Sequence, residues 1–223
     1  MKAIVMAGGE GTRLRPLTSR RPKPLVPVMS RPIMEHIILL LKQHGITDIV
    51  VTLYYLADEI SGYFGKGEDW GVRIEYVTEE SPLGTAGAVR QAADMLRDEP
   101  FLIVSGDALT DIDLGRFIRY HRSKGAVATL ALAHVPNPRE FGVVITDEDG
   151  RIQRFLEKPD WSNVFSDTVN TGMYVIEPEV LDLMEPKRVY DWSQDIFPQL
   201  LRDGKPLYGY IMEPDEYWCD AVS

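Results

Sequence analysis

With 223 residues, 44% of them hydrophobic, the chain is long enough to bury a sizeable core, and its composition is that of a folded globular protein rather than a disordered one. A formal net charge of -10 repels nucleic acid and anionic membrane alike, so neither is expected as a partner, and any anionic ligand needs a local cationic pocket. The single cysteine, Cys219, has no internal partner, no apolar run is long enough to span a membrane, and the run before Gly8 is shorter than a signal-peptide core; a reducing, cytoplasmic setting is expected.

The chain opens on an apolar run over residues 2–7 with the β-branched content of a buried parallel strand, which empties into Gly8, Gly9 and Gly11. A cationic, proline-stiffened segment carrying Arg13 and Lys23 follows. Such a loop suits phosphate, because glycine lets backbone amides approach anionic oxygens while the two cations bring charge to the same mouth. Two familiar glycine loops fail here. A dinucleotide fingerprint begun at Gly9 and Gly11 needs its last glycine where Leu14 stands, and a Walker-type loop begun at Gly8 needs glycine where Arg13 stands.

An apolar helix then starts at Pro32 and Ile33, with Ile33, Ile37, Leu40 and Leu41 at helical spacing and Pro32 in its first turn, and ends near His44 and Gly45. Strands are predicted over 49–54, 72–77, 101–104 and 126–133, alternating with helices over 58–64, 85–96 and 114–124. That alternation predicts an α/β fold whose mostly parallel sheet is covered on both faces. The second half adds an antiparallel hairpin over 142–146 and 151–156, a strand over 168–176, helices over 178–184 and 192–201, and a strand over 207–211, making the sheet mixed. Without a linker or a repeat, one domain over residues 1–223 is expected, with ligands beyond the carboxyl ends of the strands.

Several residues near those ends could carry chemistry. The loop over 79–88 has small residues, Gly84 and Thr85 among them, where a flat ring could lie against backbone; it reads equally as a plain strand-to-helix loop with Thr85 as cap. Asp107 follows a buried strand, placing a carboxylate where Mg²⁺ could be shared with substrate phosphates, although Gly106-Asp107 alone also reads as a turn. Gly142, Glu157, Lys158, Asn170 and Thr171 are each ordinary turn or surface residues taken singly, yet together they offer partners for hydroxyls beside a point charge for phosphate. His36, His44, His121 and His134 lack metal-ligand spacing and read as surface or packed residues, and 147–149 reads as a hairpin turn.

The run G-G-x-G-T-R-L-x-P-L-T over 8–18, followed by P-K-P-L over 22–25, closely resembles the signature of sugar-phosphate nucleotidyltransferases, and the resemblance extends over residues 2–220. It implies a Rossmann-like nucleotide-diphospho-sugar transferase fold and transfer of a nucleoside monophosphate from a nucleoside triphosphate to a sugar 1-phosphate, with release of pyrophosphate. Gly8, Gly9, Gly11, Thr12, Gly84 and Thr85 would then bind the nucleotide, with Arg13 and Lys23 as the catalytic cations. Asp107 would hold Mg²⁺ with Asp220 of a W-x-D motif, Trp218-Cys219-Asp220. Gly142, Glu157, Lys158, Asn170 and Thr171 would bind the sugar phosphate.

The stretches over 31–37, 83–88, 135–146 and 167–172 resemble family members that use GTP and mannose 1-phosphate, the first-choice pair. Thymidylyl, uridylyl or adenylyl transfer to glucose 1-phosphate is the alternative within the class. A catalytically silent, nucleotide-sugar-sensing subunit is the alternative outside it, against which the presence together of Arg13, Lys23, Asp107 and Lys158 argues. Oligomeric state, including a homo-oligomer, stays open. The family pattern continues after W-x-D with a glycine and a final helix, where this chain has only Ala221-Val222-Ser223. A fragment of a longer protein, or an enzyme with weakened Mg²⁺ affinity and a loosely held Asp220, is therefore expected.

Overall fold

The computed structural model describes residues 1–9, 11, 16, 18, 21–158 and 166–220. Its first half runs β1 (Ala3–Met6), a short hairpin of β2 (Pro27–Val28) and β3 (Arg31–Pro32), α1 (Ile33–Gln43), β4 (Asp48–Leu53), α2 (Ala57–Phe64), β5 (Arg73–Thr78), α3 (Gly84–Gln91) and β6 (Phe101–Ser105). The second half runs β7 (Ala108–Thr110), α4 (Leu114–Lys124), β8 (Ala128–His134), β9 (Gly142–Thr146), β10 (Ile152–Glu157), β11 (Thr168–Ile176), α5 (Phe197–Arg202), β12 (Leu207–Ile211) and β13 (Trp218–Asp220).

Successive side chains of a strand point to opposite faces, and here both faces are apolar. Ala3 and Val5 of β1, with Leu102 and Val104 of β6, join a core layer formed with α1, α2 and α4. Ile4 of β1, with Phe101 and Ile103 of β6, joins the opposite layer with α3, α5, Trp192 and Leu181. Burial on both faces is why these strands read as continuous apolar runs.

The described residues form a nine-stranded mixed sheet whose main path is β10-β9-β11-β6-β1-β4-β5, with β8 beside β11 and β12 beside β8. β6, β1, β4 and β5 are mutually parallel, and β11 runs antiparallel to β6. From β1 the chain moves outward to β4 and β5, then returns to place β6 on the other side of β1. The β1/β6 boundary is therefore the topological switch point, where open α/β sheets form a ligand crevice. β11 is the second positioning device. Val169 pairs with β9, Met173 onward pairs with β6, and the register against β8 is interrupted between Asn170 and Tyr174 around Gly172, whose φ is +80°. Such an irregularity re-aims side chains beside a site.

Some expected elements change form. Pro32 lies in β3, one position ahead of α1, instead of within its first turn. The helix expected to 96 stops at Gln91 and continues as a 3-10 turn over Ala93–Met95, which keeps Ala92, Ala93 and Leu96 in the core. Residues 178–183 are a 3-10 turn rather than an α-helix. The helix expected over 192–201 opens as a π segment, Trp192–Ile196, and becomes α only at Phe197. Pro198 has no amide to give to Gln194, so the α ladder is interrupted there. No helix among the described residues is long and apolar enough to cross a membrane.

Candidate active site

The crevice begins where β1 and β6 end. Gly106 donates its amide to the carbonyl of Met6 at 2.8 Å, and a Cβ at Gly106 would lie 2.7 Å from that oxygen, so only glycine lets the two strand ends meet this closely. Gly8 and Gly9 therefore face Ser105 and Asp107 across the switch point. A cavity of about 300 Å³ lies on one side of that junction, lined by Gly8, Gly9, Tyr54, Glu79, Gly84 and Thr85 among others. A second, of about 260 Å³, lies on the other side and includes Gly142, Glu157, Lys158, Asn170, Asp191 and Ser193. Met6, Thr85, Ser105 and Asp107 line both, so the two cavities share a wall at Asp107.

In the first cavity, Glu79 is buried and accepts the amide of Leu83 at 2.8 Å. Burial raises its carboxyl pKa, with that hydrogen bond acting in the opposite direction. A Cβ at Gly8 would sit 3.0 Å from Glu79 Oε1, so the glycine keeps the strand end against the carboxylate. Gly11 has φ +59° and its carbonyl accepts from Thr18 Oγ1 at 2.7 Å.

Gly84 and Gly87 also sit where backbone passes too close for a side chain. Gly84 has φ +74°, and a Cβ there would lie 2.4 Å from the carbonyl oxygen of Tyr190; a Cβ at Gly87 would lie 2.7 Å from that of Arg188. These glycines make room for the 188–190 backbone, and the amides of Ala86 and Gly87 are spent on Tyr190 O. Thr85 does not cap α3. Its hydroxyl donates to Asp191 Oδ2 at 2.9 Å and accepts the amide of Trp192 at 3.0 Å, tying α3 to the segment that walls the second cavity.

At the junction, Lys23 lies inside the protein with its side chain 6% exposed, while Asp107 is 36% exposed and reachable from both cavities. Lys23 Nζ is 2.5 Å from Asp107 Oδ2 and 3.5 Å from Asp220 Oδ1. Ser105 Oγ donates to the other oxygen of Asp107. Two carboxylates thus converge on one cation position that the Lys23 ammonium occupies. Among the described residues no cluster of three or more His, Cys, Asp or Glu side chains forms a closed metal cage. One or two carboxylates completed by phosphate oxygens is the donor set that Mg²⁺ prefers, so the pair fits that ion.

Asp220 is more firmly placed than expected. β13 pairs antiparallel with β7, setting Asp220 opposite Ala108, next to Asp107. Trp218 donates its indole N–H to Thr171 O at 3.1 Å and packs edge-on against Phe141 with ring centroids 5.4 Å apart. Tyr217 exchanges further bonds with Thr110 and Asp111. This long-range anchoring replaces the loose end expected from chain position alone.

In the second cavity, a Cβ at Gly142 would lie 2.8 Å from Glu157 Oε2 and from the Phe155 ring, so glycine brings the β9 backbone against that carboxylate. Burial raises the pKa of Glu157; Lys158 opposes the shift and Asp191 adds to it. Lys158 follows β10 with φ +44°, and its amide bonds to Phe141 O at 3.0 Å. Asn170 donates to Tyr174 Oη at 3.0 Å and accepts the Gly172 amide at 3.0 Å. Thr171 lines the cavity, but its hydroxyl is directed at the Ala131 carbonyl, 2.8 Å away, so it braces β11 rather than offering a donor to a ligand. Arg13 and Thr12 lie outside the described residues.

Residues that the sequence reading did not single out also line the site: Tyr54, Ser105, Glu140, Asp191 and Ser193. Only Asp191 had a local signal, as an N-cap: its Oδ1 accepts the amides of Ser193 and Gln194 at 2.8 and 3.0 Å. Of the histidines, His121 is buried between Thr129 and Glu177, and His36 reaches Val28 O.

Residues 2–221 match the family model described as nucleotidyl transferase. The chain belongs to the nucleotidyl transferase family. It is 40% identical to a UTP–glucose-1-phosphate uridylyltransferase of Synechocystis sp., over 99% of this chain and 60% of that protein. It is also 40% identical to a mannose-1-phosphate guanylyltransferase of Mycobacterium tuberculosis, over 98% of this chain and 60% of that one. The chain thus spans about 60% of the length of the curated relatives it matches. Among solved structures it resembles a Bacillus anthracis protein described as a glucose-1-phosphate thymidylyltransferase, with TM-score 0.89 and 27% identity over 100% of this chain and 90% of that one. HddC from Yersinia pseudotuberculosis, complexed with GMP-PN, has TM-score 0.84 at 22% identity over 100% and 94%, a likeness of fold alone. For this nucleotidyl transferase family chain the mixed, mostly parallel sheet flanked by helices is the fold of those neighbours.

Proposed function

We propose that this chain transfers a nucleoside monophosphate from a nucleoside triphosphate to a sugar 1-phosphate and releases pyrophosphate, with GTP and mannose 1-phosphate as the first-choice pair. The observation that carries this reading is the pair of cavities sharing a wall at Asp107, beside the Lys23, Asp107 and Asp220 cluster. One cavity takes the nucleotide and the other the sugar phosphate, so that the reacting phosphates meet at the shared wall.

A sugar 1-phosphate oxygen attacks the α-phosphorus and pyrophosphate leaves. The attacking oxygen is already anionic near neutral pH, so the chemistry needs alignment and charge neutralisation more than a general base. In this reading Gly8, Gly9, Gly11 and Thr12 approach the triphosphate, while Gly84 and Thr85 border the base. Arg13 and Lys23 stabilise the triphosphate and its leaving group, and Lys158 holds the acceptor's phosphate. Glu157 and Asn170 serve sugar hydroxyls, and the Gly142 backbone borders the ring. Asp107 and Asp220 would hold Mg²⁺, which when bound supplies further neutralisation of phosphate charge. A cytoplasmic enzyme fits the single cysteine and these substrates.

The uridylyl-transferring relative matches at the same 40% identity as the guanylyl-transferring one, which favours UTP with glucose 1-phosphate as the second reading. Pyrophosphate release is measured over GTP, UTP, dTTP and ATP, each with mannose 1-phosphate and glucose 1-phosphate, with and without Mg²⁺. Fastest release from GTP and mannose 1-phosphate, dependent on Mg²⁺, is expected. A pyrimidine nucleotide winning the competition overturns the guanine preference, and no release from any pair overturns the catalytic reading in favour of a silent sensor.

A further inference from the structure

The described charged side chains lining the second cavity are Asp107, Glu140, Glu157, Lys158, Asp191 and Asp220, five carboxylates and one ammonium. Asp107 and Asp220 already face Lys23 at the junction. Lys158 is committed to the 1-phosphate under the reading above, on which this inference rests. Around the body of the sugar the lining leaves three carboxylates, Glu140, Glu157 and Asp191.

Asp191 is the member of that group least free to yield. Its Oδ1 is held by the amides of Ser193 and Gln194, and its Oδ2 by the hydroxyl of Thr85. Its own amide is tied to Asp195 Oδ2 at 2.7 Å. A carboxylate fixed by three donors cannot rotate away from an approaching anion, and it keeps lone-pair capacity for a hydroxyl or ammonium donor. Glu157, across the same cavity, adds a second carboxylate within electrostatic range of the first.

We infer that Asp191 is a specificity-determining residue that limits the acceptor to sugar 1-phosphates carrying no anionic group besides the phosphate. Neutral hexose 1-phosphates and amino-sugar 1-phosphates with a free ammonium are accepted, and uronic acid 1-phosphates are rejected. Like-charge juxtaposition in a confined site is the means of rejection, a repulsive rather than an attractive device.

The test compares kcat/KM for glucose 1-phosphate, glucosamine 1-phosphate and glucuronic acid 1-phosphate at saturating nucleotide, in the unmodified chain and in Asp191→Asn. Asn keeps an oxygen for the Ser193 and Gln194 amides, so the turn can still be capped. The unmodified chain is expected to discriminate against the uronic acid by roughly 100-fold or more, with the amino sugar used at least as well as a comparable neutral sugar. Asp191→Asn is expected to narrow the neutral-to-uronic ratio by about tenfold. A residue that merely caps the turn would change all three substrates alike; an unchanged ratio in Asp191→Asn, or equal use of neutral and uronic sugars by the unmodified chain, overturns the inference. Should no sugar phosphate turn over, the transferase reading falls, and calorimetric titration with glucose 1-phosphate and glucuronic acid 1-phosphate then decides the charge preference alone. Equal affinities in that titration contradict it.

Discussion

The two cavities that meet at Asp107 are built from different materials. The first grows from the carboxyl ends of parallel strands: Gly8 and Gly9 lie just beyond β1, Tyr54 follows β4, and Glu79 follows β5. The second is assembled from the antiparallel half, from β9, the end of β10, the interrupted stretch of β11, the turn at Asp191 and β13. Parallel strand ends present backbone and glycine, which suit phosphate and a flat ring; a hairpin and an irregular strand present side chains, which suit hydroxyls. The difference explains why one cavity is marked by a contiguous motif and the other is spread over residues 140–220.

The largest expected effect lies where the two regimes touch. Lys23→Ala removes the cation from between Asp107 and Asp220, a charge-assisted contact of about 1.5–3 kcal/mol, and should lower kcat/KM about 10- to 100-fold for nucleotide and sugar phosphate alike. Steady-state kinetics varying each substrate in turn provides the check. A loss confined to the nucleotide would assign Lys23 to the first cavity instead of the junction.

Next in size is a change to the strut between the cavities. Gly84→Ala places a methyl 2.4 Å from Tyr190 O at a φ of +74°, and should destabilise the fold by about 2–4 kcal/mol, read from urea unfolding. Because the strut joins α3 to the 188–193 segment, ligand protection should weaken on both sides. An unaltered midpoint would mean that the 190 segment yields easily and does not couple the two regions.

The smallest effect separates the halves by pH. Burial lowers the pKa of His121, more than its bond to Glu177 raises it, so in the relevant range the unfolded chain binds more protons than the folded one. Stability from the neutral imidazole is complete above the unfolded value of about 6.5 and is lost as pH falls from there toward the lower folded value. His121→Gln should flatten that slope in thermal unfolding between about pH 5 and 7 while sparing the slope due to carboxylates. A slope unchanged by the substitution would place the acid sensitivity elsewhere.

Much of the fold was legible because its signals are local. The two-sided burial of β1, β4 and β6 leaves apolar runs, and β11 and β12 begin and end where alternation and flanking turns indicate. The start of the helix at Trp192 was legible, but the π form of its first turns was not, since Pro198 and the Asp191 cap act together across several residues. The three-residue pairing of β13 with β7 joins positions about 110 apart in the chain, beyond any periodicity, which is why Asp220 looked unsupported. In the site, Asp107 and the glycine loop stood out by position at strand ends. Thr85 and Gly84 stood out as small loop residues, while the partners that hold them in place, Asp191 and Tyr190, lie about 106 positions away and leave no local signal. Asp191 carries no mark of its own beyond a cap, and its place in the second cavity depends on that distant contact.

The central claim is one cavity per substrate with a common wall at Asp107. Amide chemical shifts of the isotopically labelled chain, followed during titration with nucleoside triphosphate alone, sugar 1-phosphate alone and then the nucleotide sugar, test it most directly. The account predicts that the triphosphate moves Gly8, Gly9 and Gly84, that the sugar phosphate moves Lys158, Asn170 and Gly172, that the nucleotide sugar moves both sets, and that Asp107 responds to all three. Triphosphate and sugar phosphate competing for a single set of amides would contradict it.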